Sequence, residues 1–127
     1  MNNQIYMICY GTSEKNINIS FETNIIGAGS FAKVPEGQLI YLVYKHEGEW
    51  TVVGRAVVDK TADDNPFEKP NRYRTYRITN LERCKPFSIK DICRKSLGEY
   101  YGLVLRTPQP IKAQEFIAYL DKNFIGE

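Results

Sequence analysis

The alternation of hydrophobic and polar positions is clearest over residues 37–60, where it predicts a β-hairpin. Apolar residues occupy both alternating sets of positions in residues 38–45, which predicts a strand buried on both faces, as in a barrel or a covered sheet. Residues 46–49 are polar and form the turn, and residues 50–59 return antiparallel. Gly54 interrupts this second strand, which predicts a bulge or a close backbone approach.

Three further strands are predicted from short apolar or alternating runs, at residues 5–10, 72–81 and 100–106. Residues 16–21 also alternate and suit a half-exposed strand. Ser13, three positions before Asn16, is equally compatible with the start of a short helical turn.

Helical patterns predominate towards the end of the chain. Ser88 and Asp91 have the spacing of a capping box, which predicts a helix that ends near Gly98. Apolar residues at helical spacing predict a terminal helix over residues 111–124, with Gly126 as its C-cap residue. At 127 residues the chain is expected to form one domain, of the α+β class.

One segment is predicted to be a loop, and a second contains two closely spaced glycines. Residues 61–71 contain two prolines, two asparagines and adjacent aspartates, and long loops of this kind in compact domains are often functional. Gly27 and Gly29 flank Ala28, so the backbone there is either mobile or passes close to another group. This segment lacks the third glycine and the following helix of a dinucleotide-binding fingerprint.

The composition offers little for catalysis. No apolar run approaches the roughly 18 residues of a membrane span, and no secretory signal is visible. Three cysteines without a C-x-x-C pair fit reduced thiols and predict a cytoplasmic location. A single histidine argues against His-based triads and metal sites, so no catalytic residue, metal or cofactor is predicted. Asp63 and Asp64 leave a nucleotide hydrolase as the third-ranked interpretation, although such pairs more often form turns.

Positive charge is concentrated in the middle of the chain. Residues 60–95 carry ten basic and five acidic side chains, whereas the whole chain has a net charge of +2. This asymmetry fits either a surface that binds a polyanion or an ordinary solvated face. Arginine and tyrosine interleave in the strand at residues 72–81, which suits either phosphate pairing with base stacking or a charged edge strand that resists aggregation.

Four stretches together resemble the PUA-like superfamily, in particular its EVE and YTH branches. They are the opening IYMICYGTS, the hairpin GQLIYLVY…WTVVGRAVV, the acidic loop DDNPF with the strand RYRTYRITNL, and the segments PFSIKDI and YYGLVLRTPQPI. The similarity extends over nearly the whole chain. It implies a mixed, mostly antiparallel pseudo-barrel of five or six strands with two or three flanking helices.

The resemblance also implies a nucleic-acid-binding reader that takes a modified, extruded base into an aromatic pocket. Ile26 stands at the position of a cage tryptophan, so Phe31, Tyr44 or Trp50 is expected to supply the stacking surface. The other pocket residues are expected to be Ser13, Asn16, Asn18, Ser30, Asp63, Asp64 and Asn65. Phosphate contacts are expected from Lys69, Arg72, Arg74, Lys85 and Lys90.

DNA with a methylated base is favoured over RNA as the partner, and a membrane partner is not expected. Domains of this kind also occur as the N-terminal reader of modification-dependent restriction proteins of the McrB type, so further domains in a longer parent chain are compatible with the sequence. The rival interpretation is a non-catalytic module on the same fold that binds a protein or a small ligand. Whether the aromatic residues line a pocket or fill the core stays open at the level of sequence.

Overall fold

In the described part of the chain, five strands form a single mixed sheet with four α-helices around it. The computed structural model describes residues 3–29 and 32–127. In chain order the elements are β1 (Tyr6–Cys9), α1 (Glu14–Thr23), β2 (Ile25–Gly29), β3 (Leu39–His46), β4 (Glu49–Thr61), a 3-10 turn (Pro70–Arg72), β5 (Tyr73–Ser88), α2 (Lys90–Leu97), α3 (Tyr101–Arg106) and α4 (Gln114–Asn123).

The sheet curves into a nearly closed pseudo-barrel. Its strand order is β1-β3-β4-β5-β2, and the two edge strands β1 and β2 also contact each other. β1 runs parallel to β3, and the other neighbouring pairs are antiparallel. β4 and β5 are 13 and 16 residues long, and their pairing shifts register three times, which lets long strands bend. The predicted fold class, a mixed and mostly antiparallel α+β pseudo-barrel, is confirmed.

The central hairpin is formed by β3 and β4, as predicted, and β3 is buried on both faces. Ile40 and Leu42 point into the barrel interior, which α1 also covers. Tyr41 and Val43 point to the opposite face, against the buried side chains of α2, α3 and α4. The pairing of β4 with its other neighbour, β5, shifts register between Val52 and Gly54. The predicted irregularity at this glycine is therefore confirmed.

Residues 16–21 lie in a helix, so the predicted strand is wrong and the helical alternative holds. The Ser13 hydroxyl accepts a hydrogen bond from the Asn16 backbone N–H at 3.1 Å and caps α1. Ile17 and Ser20 are buried three positions apart, which is helical spacing. Asn24 ends the helix in a left-handed conformation, with φ of 57°.

Residues 101–106 also form a helix rather than the predicted strand. Leu105 is fully buried, and Tyr101 and Val104 pack against the same core, while Leu103 is 65% exposed, so one side of this helix faces the core. α3 packs against β1 and α2, and these tertiary contacts override the β-propensity of its tyrosine and valine residues. The two reassigned segments explain why four helices flank the sheet instead of two or three.

The ends of α2 and α4 differ from the predicted caps. α2 begins after Ile89, and Ser88 accepts a hydrogen bond from the Lys90 N–H instead of occupying the cap position. Gly98 ends α2 as predicted. α4 ends at Asn123 with Phe124 as its C-cap residue, and Gly126 forms a β-bridge with Cys84 instead of a C-cap. None of the described helices combines the length and the apolar character that crossing a membrane requires.

Candidate nucleic-acid interface

A cavity of about 560 Å³ opens between the β1–α1 turn and the loop that precedes β5. We call it the main cavity. Its lining residues are Tyr10, Gly11, Thr12, Ser13, Asn16, Glu68, Lys69, Arg72 and Tyr73. The volume lies within the range of about 300–1,000 Å³ that is usual for small-ligand sites.

The β1–α1 turn, residues 10–13, is tied to the hairpin. Tyr10 donates its backbone N–H to the Val43 carbonyl at 3.1 Å, and Lys45 donates to the Gly11 carbonyl at 2.6 Å. Gly11 has φ of 58°, a left-handed conformation that glycine adopts without steric cost. One wall of the main cavity is therefore held by backbone hydrogen bonds to β3 of the central hairpin.

The loop over residues 62–72 forms the opposite wall and is ordered by its own side chains. Asn65 donates from its amide nitrogen to the carbonyls of Pro70 and Tyr73, at 2.9 and 3.2 Å. Asn16 accepts from the Glu68 backbone N–H at 3.1 Å and so fastens the loop to α1. These bonds position Lys69 and Arg72 at the rim of the cavity.

Three aromatic rings pack together beneath the cavity, and we call Tyr10, Phe67 and Tyr73 the aromatic trio. Their ring centroids are 5.4–5.8 Å apart. The Tyr10 hydroxyl is hydrogen-bonded to the Ser20 hydroxyl at 2.7 Å and accepts from the Gly27 N–H at 2.9 Å. Burial raises the pKa of the Tyr10 phenol above its ordinary value, so this group stays neutral and structural.

Gly27 lies directly against the Tyr73 ring. A Cβ atom built at Gly27 would lie 2.9 Å from two atoms of that ring, Cγ and Cδ1. The predicted close backbone approach in this segment is therefore confirmed, because only a residue without a side chain leaves room for Tyr73.

Replacing Gly27 by alanine is expected to displace Tyr73 and to destabilise the protein by roughly 1–3 kcal/mol. Gly29→Ala is the matched control, since Gly29 lies in the same strand as Gly27. A Cβ atom at Gly29 would lie 3.6 Å from Pro108 Cδ, which is an ordinary van der Waals distance. Urea denaturation of both variants measures the difference. Equal stabilities for the two alanine variants would show that the Tyr73 ring moves away without cost.

Four of the residues predicted for the site line the main cavity together: Ser13 and Asn16 among the pocket residues, and Lys69 and Arg72 among the phosphate contacts. Lys69 and Arg72 form no ion pair with another described residue. Glu68, the acidic residue in the lining, pairs with Lys15 at 3.4 Å. The rim of the cavity therefore presents net positive charge.

Other predicted pocket residues lie elsewhere. Ile26 is fully buried in the barrel interior, and Trp50 is 7% exposed among the core residues beneath α2–α4. Asn18 and Tyr44 line a separate cavity of about 160 Å³. Ser30 and Phe31 lie outside the described residues.

The acidic loop residues and the remaining cations are also separate from the main cavity. Asp63 and Asp64 are exposed, and the Asp64 carbonyl accepts from the Thr75 hydroxyl at 2.8 Å. Arg74 is exposed on β5, opposite Ala28 of β2. Lys85 lies near the far end of β5, and Lys90 begins α2 beyond it.

Sequence reasoning missed the aromatic trio as a unit. Tyr73 was expected only as part of an arginine–tyrosine strand, and Tyr10 as the end of the first strand. The signal in the sequence is Phe67, a single aromatic residue within an otherwise polar loop. Such a residue indicates that the loop packs against the core, because the burial of an aromatic ring stabilises one conformation of an otherwise polar segment.

The arrangement is suited to binding. Among the described residues, no group of three His, Cys, Asp or Glu side chains is placed to hold a metal ion. All three cysteines are free, and burial raises the pKa of Cys84 to about 11 and that of Cys93 to about 12. These thiols therefore stay protonated at neutral pH, which disfavours nucleophilic chemistry.

Solved YTH domains share this architecture. The crystal structure of the Mmi1 YTH domain in complex with RNA matches with a TM-score of 0.69 and 16% sequence identity, covering 94% of this chain and 77% of that chain. The Pho92 YTH domain in complex with m6A matches with a TM-score of 0.59 and 14% identity, covering 97% and 84%. No family model and no curated protein matches the sequence. The chain therefore has the fold of YTH domains, as its sequence resemblance implied.

Proposed function

We propose that this protein is a non-catalytic reader that binds nucleic acid and holds a methylated base in the main cavity. The observation that carries the proposal is the combination of a half-buried aromatic ring, two polar side chains and two cations in one opening. Tyr73 offers a surface on which a base stacks, while Asn16 and Ser13 face its polar edge. A flat, partly polar ligand such as an extruded base fits this chemistry.

The polar side chains keep hydrogen-bonding capacity for a ligand. The Asn16 amide nitrogen donates one hydrogen to the Tyr73 hydroxyl at 3.4 Å, and an amide nitrogen carries two. The Ser13 oxygen accepts from the Asn16 backbone, which leaves its hydroxyl hydrogen to donate. These two donors are the groups that we expect to contact acceptor atoms on the base.

The rim cations act on the backbone rather than on the base. Lys69 and Arg72 are exposed and form no ion pair within the described part of the chain. Such side chains bind phosphates and position the partner without reading its sequence.

The solved structures suggest which base to test first. The Mmi1 domain was solved with RNA and the Pho92 domain with m6A, so methylated adenine is the first candidate for this chain. Position 26 is fully buried here, so the proposed stacking surface is Tyr73. DNA remains the favoured partner in this proposal, because the sequence resembles the reader domains of restriction proteins.

Fluorescence anisotropy against DNA and RNA oligonucleotides, each plain and methylated at adenine or cytosine, tests this function. We expect tighter binding to one methylated probe. Tyr73→Ala should weaken that binding by roughly 1–3 kcal/mol, or about 5- to 150-fold, because it removes the stacking ring. Tyr73→Phe keeps the ring and is the control. Equal affinity of wild-type protein for plain and methylated probes would refute base reading, and no binding to any probe would favour the protein- or small-ligand-binding module.

A further inference from the structure

Glu68 is the acidic residue in the lining of the main cavity, and its neighbours fix its position. Phe67, the residue before it, is 4% exposed and belongs to the aromatic trio. The Glu68 backbone N–H donates to Asn16 Oδ1 at 3.1 Å, and Asn16 is itself buried. The Glu68 side chain therefore extends from a fixed point of the loop, directly beside the Asn16 amide.

One carboxylate oxygen of Glu68 has no partner in the described part of the chain. The Lys15 ammonium lies 3.4 Å from Oε2, whereas Oε1 accepts no hydrogen bond from a group in residues 3–29 and 32–127. The Glu68 side chain is 53% exposed, so Oε1 meets a ligand in the cavity without breaking a contact that it already makes.

Glu68 differs in hydrogen-bonding character from the other polar side chains of the cavity. Asn16 and Ser13 present donors, and Lys69 and Arg72 are cations that only donate. An ionised carboxylate only accepts. Because the 3.1 Å bond joins Glu68 to Asn16, the lining places an acceptor next to a donor.

Phosphate binding does not account for a carboxylate in this place. A negative charge repels the sugar–phosphate backbone that Lys69 and Arg72 attract, so Glu68 lowers the affinity for a polyanion. Adenine and cytosine, in contrast, have an amino N–H beside a ring-nitrogen acceptor on the edge that an extruded base presents. Guanine, thymine and uracil have a carbonyl oxygen where the amino group would be, and a carboxylate repels that oxygen.

We propose that Glu68 is a specificity-determining residue, whose carboxylate accepts the exocyclic N–H of the base while Asn16 donates to the adjacent ring nitrogen. This inference rests on the proposed function and names its ligand class as an amino base, with adenine monomethylated on the exocyclic nitrogen as the first candidate. One methyl group leaves one N–H on that nitrogen, and a second methyl group removes it. The site therefore accepts the monomethylated base and rejects the dimethylated one.

Calorimetry with deoxyadenosine that carries one or two methyl groups on its exocyclic nitrogen tests this contact in the absence of phosphate. Wild-type protein should bind the monomethylated nucleoside roughly 10-fold more tightly than the dimethylated one, the effect of a hydrogen bond to a charged group. Glu68→Ala should weaken binding of the monomethylated nucleoside by the same factor and leave binding of the dimethylated one unchanged. Glu68→Gln keeps an acceptor oxygen and should lose less affinity than the alanine variant.

Glu115→Ala is the matched control. Glu115 also pairs with a lysine, Lys95, at 3.0 Å, and its side chain is as exposed as that of Glu68, but it lies on α4 outside the main cavity. Melting temperatures verify that all variants fold. Equal affinities of Glu68→Ala and Glu115→Ala for the monomethylated nucleoside would overturn the role of Glu68 and leave base reading intact.

The wild-type protein supplies the remaining outcomes. Equal affinity for the monomethylated and dimethylated nucleosides would also overturn the N–H contact. Equal affinity for plain and methylated oligonucleotides, with the effect of Glu68→Ala retained on the plain nucleoside, would refute the reading of methylation alone. Failure to bind any nucleoside or oligonucleotide would overturn both proposals.

Discussion

Replacing Trp50 by alanine is expected to lower the free energy of unfolding by roughly 3–5 kcal/mol, the usual cost of removing a large aromatic side chain from a core. The ring is 7% exposed and belongs to the cluster of buried residues beneath α2–α4. Far-UV circular dichroism in urea is the suitable measurement, because Trp50 is the chain's one tryptophan and its fluorescence disappears with the substitution.

Trp50→Phe is the control, since it retains a ring in the same space and should cost less than alanine. The experiment also decides between the two interpretations of this residue that the sequence allowed. A loss of stability below about 1 kcal/mol, together with weaker oligonucleotide binding, would show that the ring serves the ligand and would contradict its assignment to the core.

Replacing Gly54 by alanine is expected to lower the free energy of unfolding by about 1–3 kcal/mol, because the site has no room for a methyl group. A Cβ atom there would lie 2.7 Å from the Glu82 carbonyl oxygen and 2.7 Å from Phe21 Cζ. The Glu82 oxygen belongs to the backbone of β5 and cannot rotate away. Arg83 also stacks on the Phe21 ring at 3.8 Å, which restrains that side chain.

Gly102→Ala serves as the control for this prediction. Nothing lies within 4 Å of a Cβ at Gly102, and this residue is in α3, where alanine is favoured over glycine by up to about 1 kcal/mol. The thermal midpoint should fall for Gly54→Ala and stay level or rise for Gly102→Ala. A midpoint for Gly54→Ala equal to that of wild type would show that β4 and β5 separate locally without cost.

The hydrophobic pattern of the sequence predicted the structure correctly where the buried positions follow the two-residue period of a strand. In residues 39–44 of β3 each side chain faces one of two cores, so both alternating sets are apolar and the hairpin is visible in the sequence. Pattern failed at residues 16–21, because Ile17, Ile19 and Phe21 alternate as in a strand, whereas Ile17, Ser20 and Phe21 have the spacing of one side of a helix. The Ser13 cap, a local hydrogen bond, is compatible with the helix, and the burial of Ser20 against Tyr10 of another segment selects it.

In the candidate site, too, some features were predictable from the sequence and others depended on tertiary contacts. Ser13, Asn16, Lys69 and Arg72 were identified from residue type and resemblance, and the fold brings them to one cavity. The helix at residues 101–106 could not be predicted from the sequence, because this segment has the composition of a strand and packs as a helix on β1 and α2.

The sequence by itself determined the α+β class, the central hairpin and the irregularity at Gly54, and at Gly27 it left a mobile backbone and a close approach as the two alternatives. These follow from periodicity and from glycine's missing side chain, which are local properties of the chain. Only the tertiary structure decided that Trp50 and Ile26 are buried and that Tyr10, Phe67 and Tyr73 form one trio. The physical reason is that an aromatic side chain suits a core and a binding surface equally well, so its role depends on which distant segments cover it.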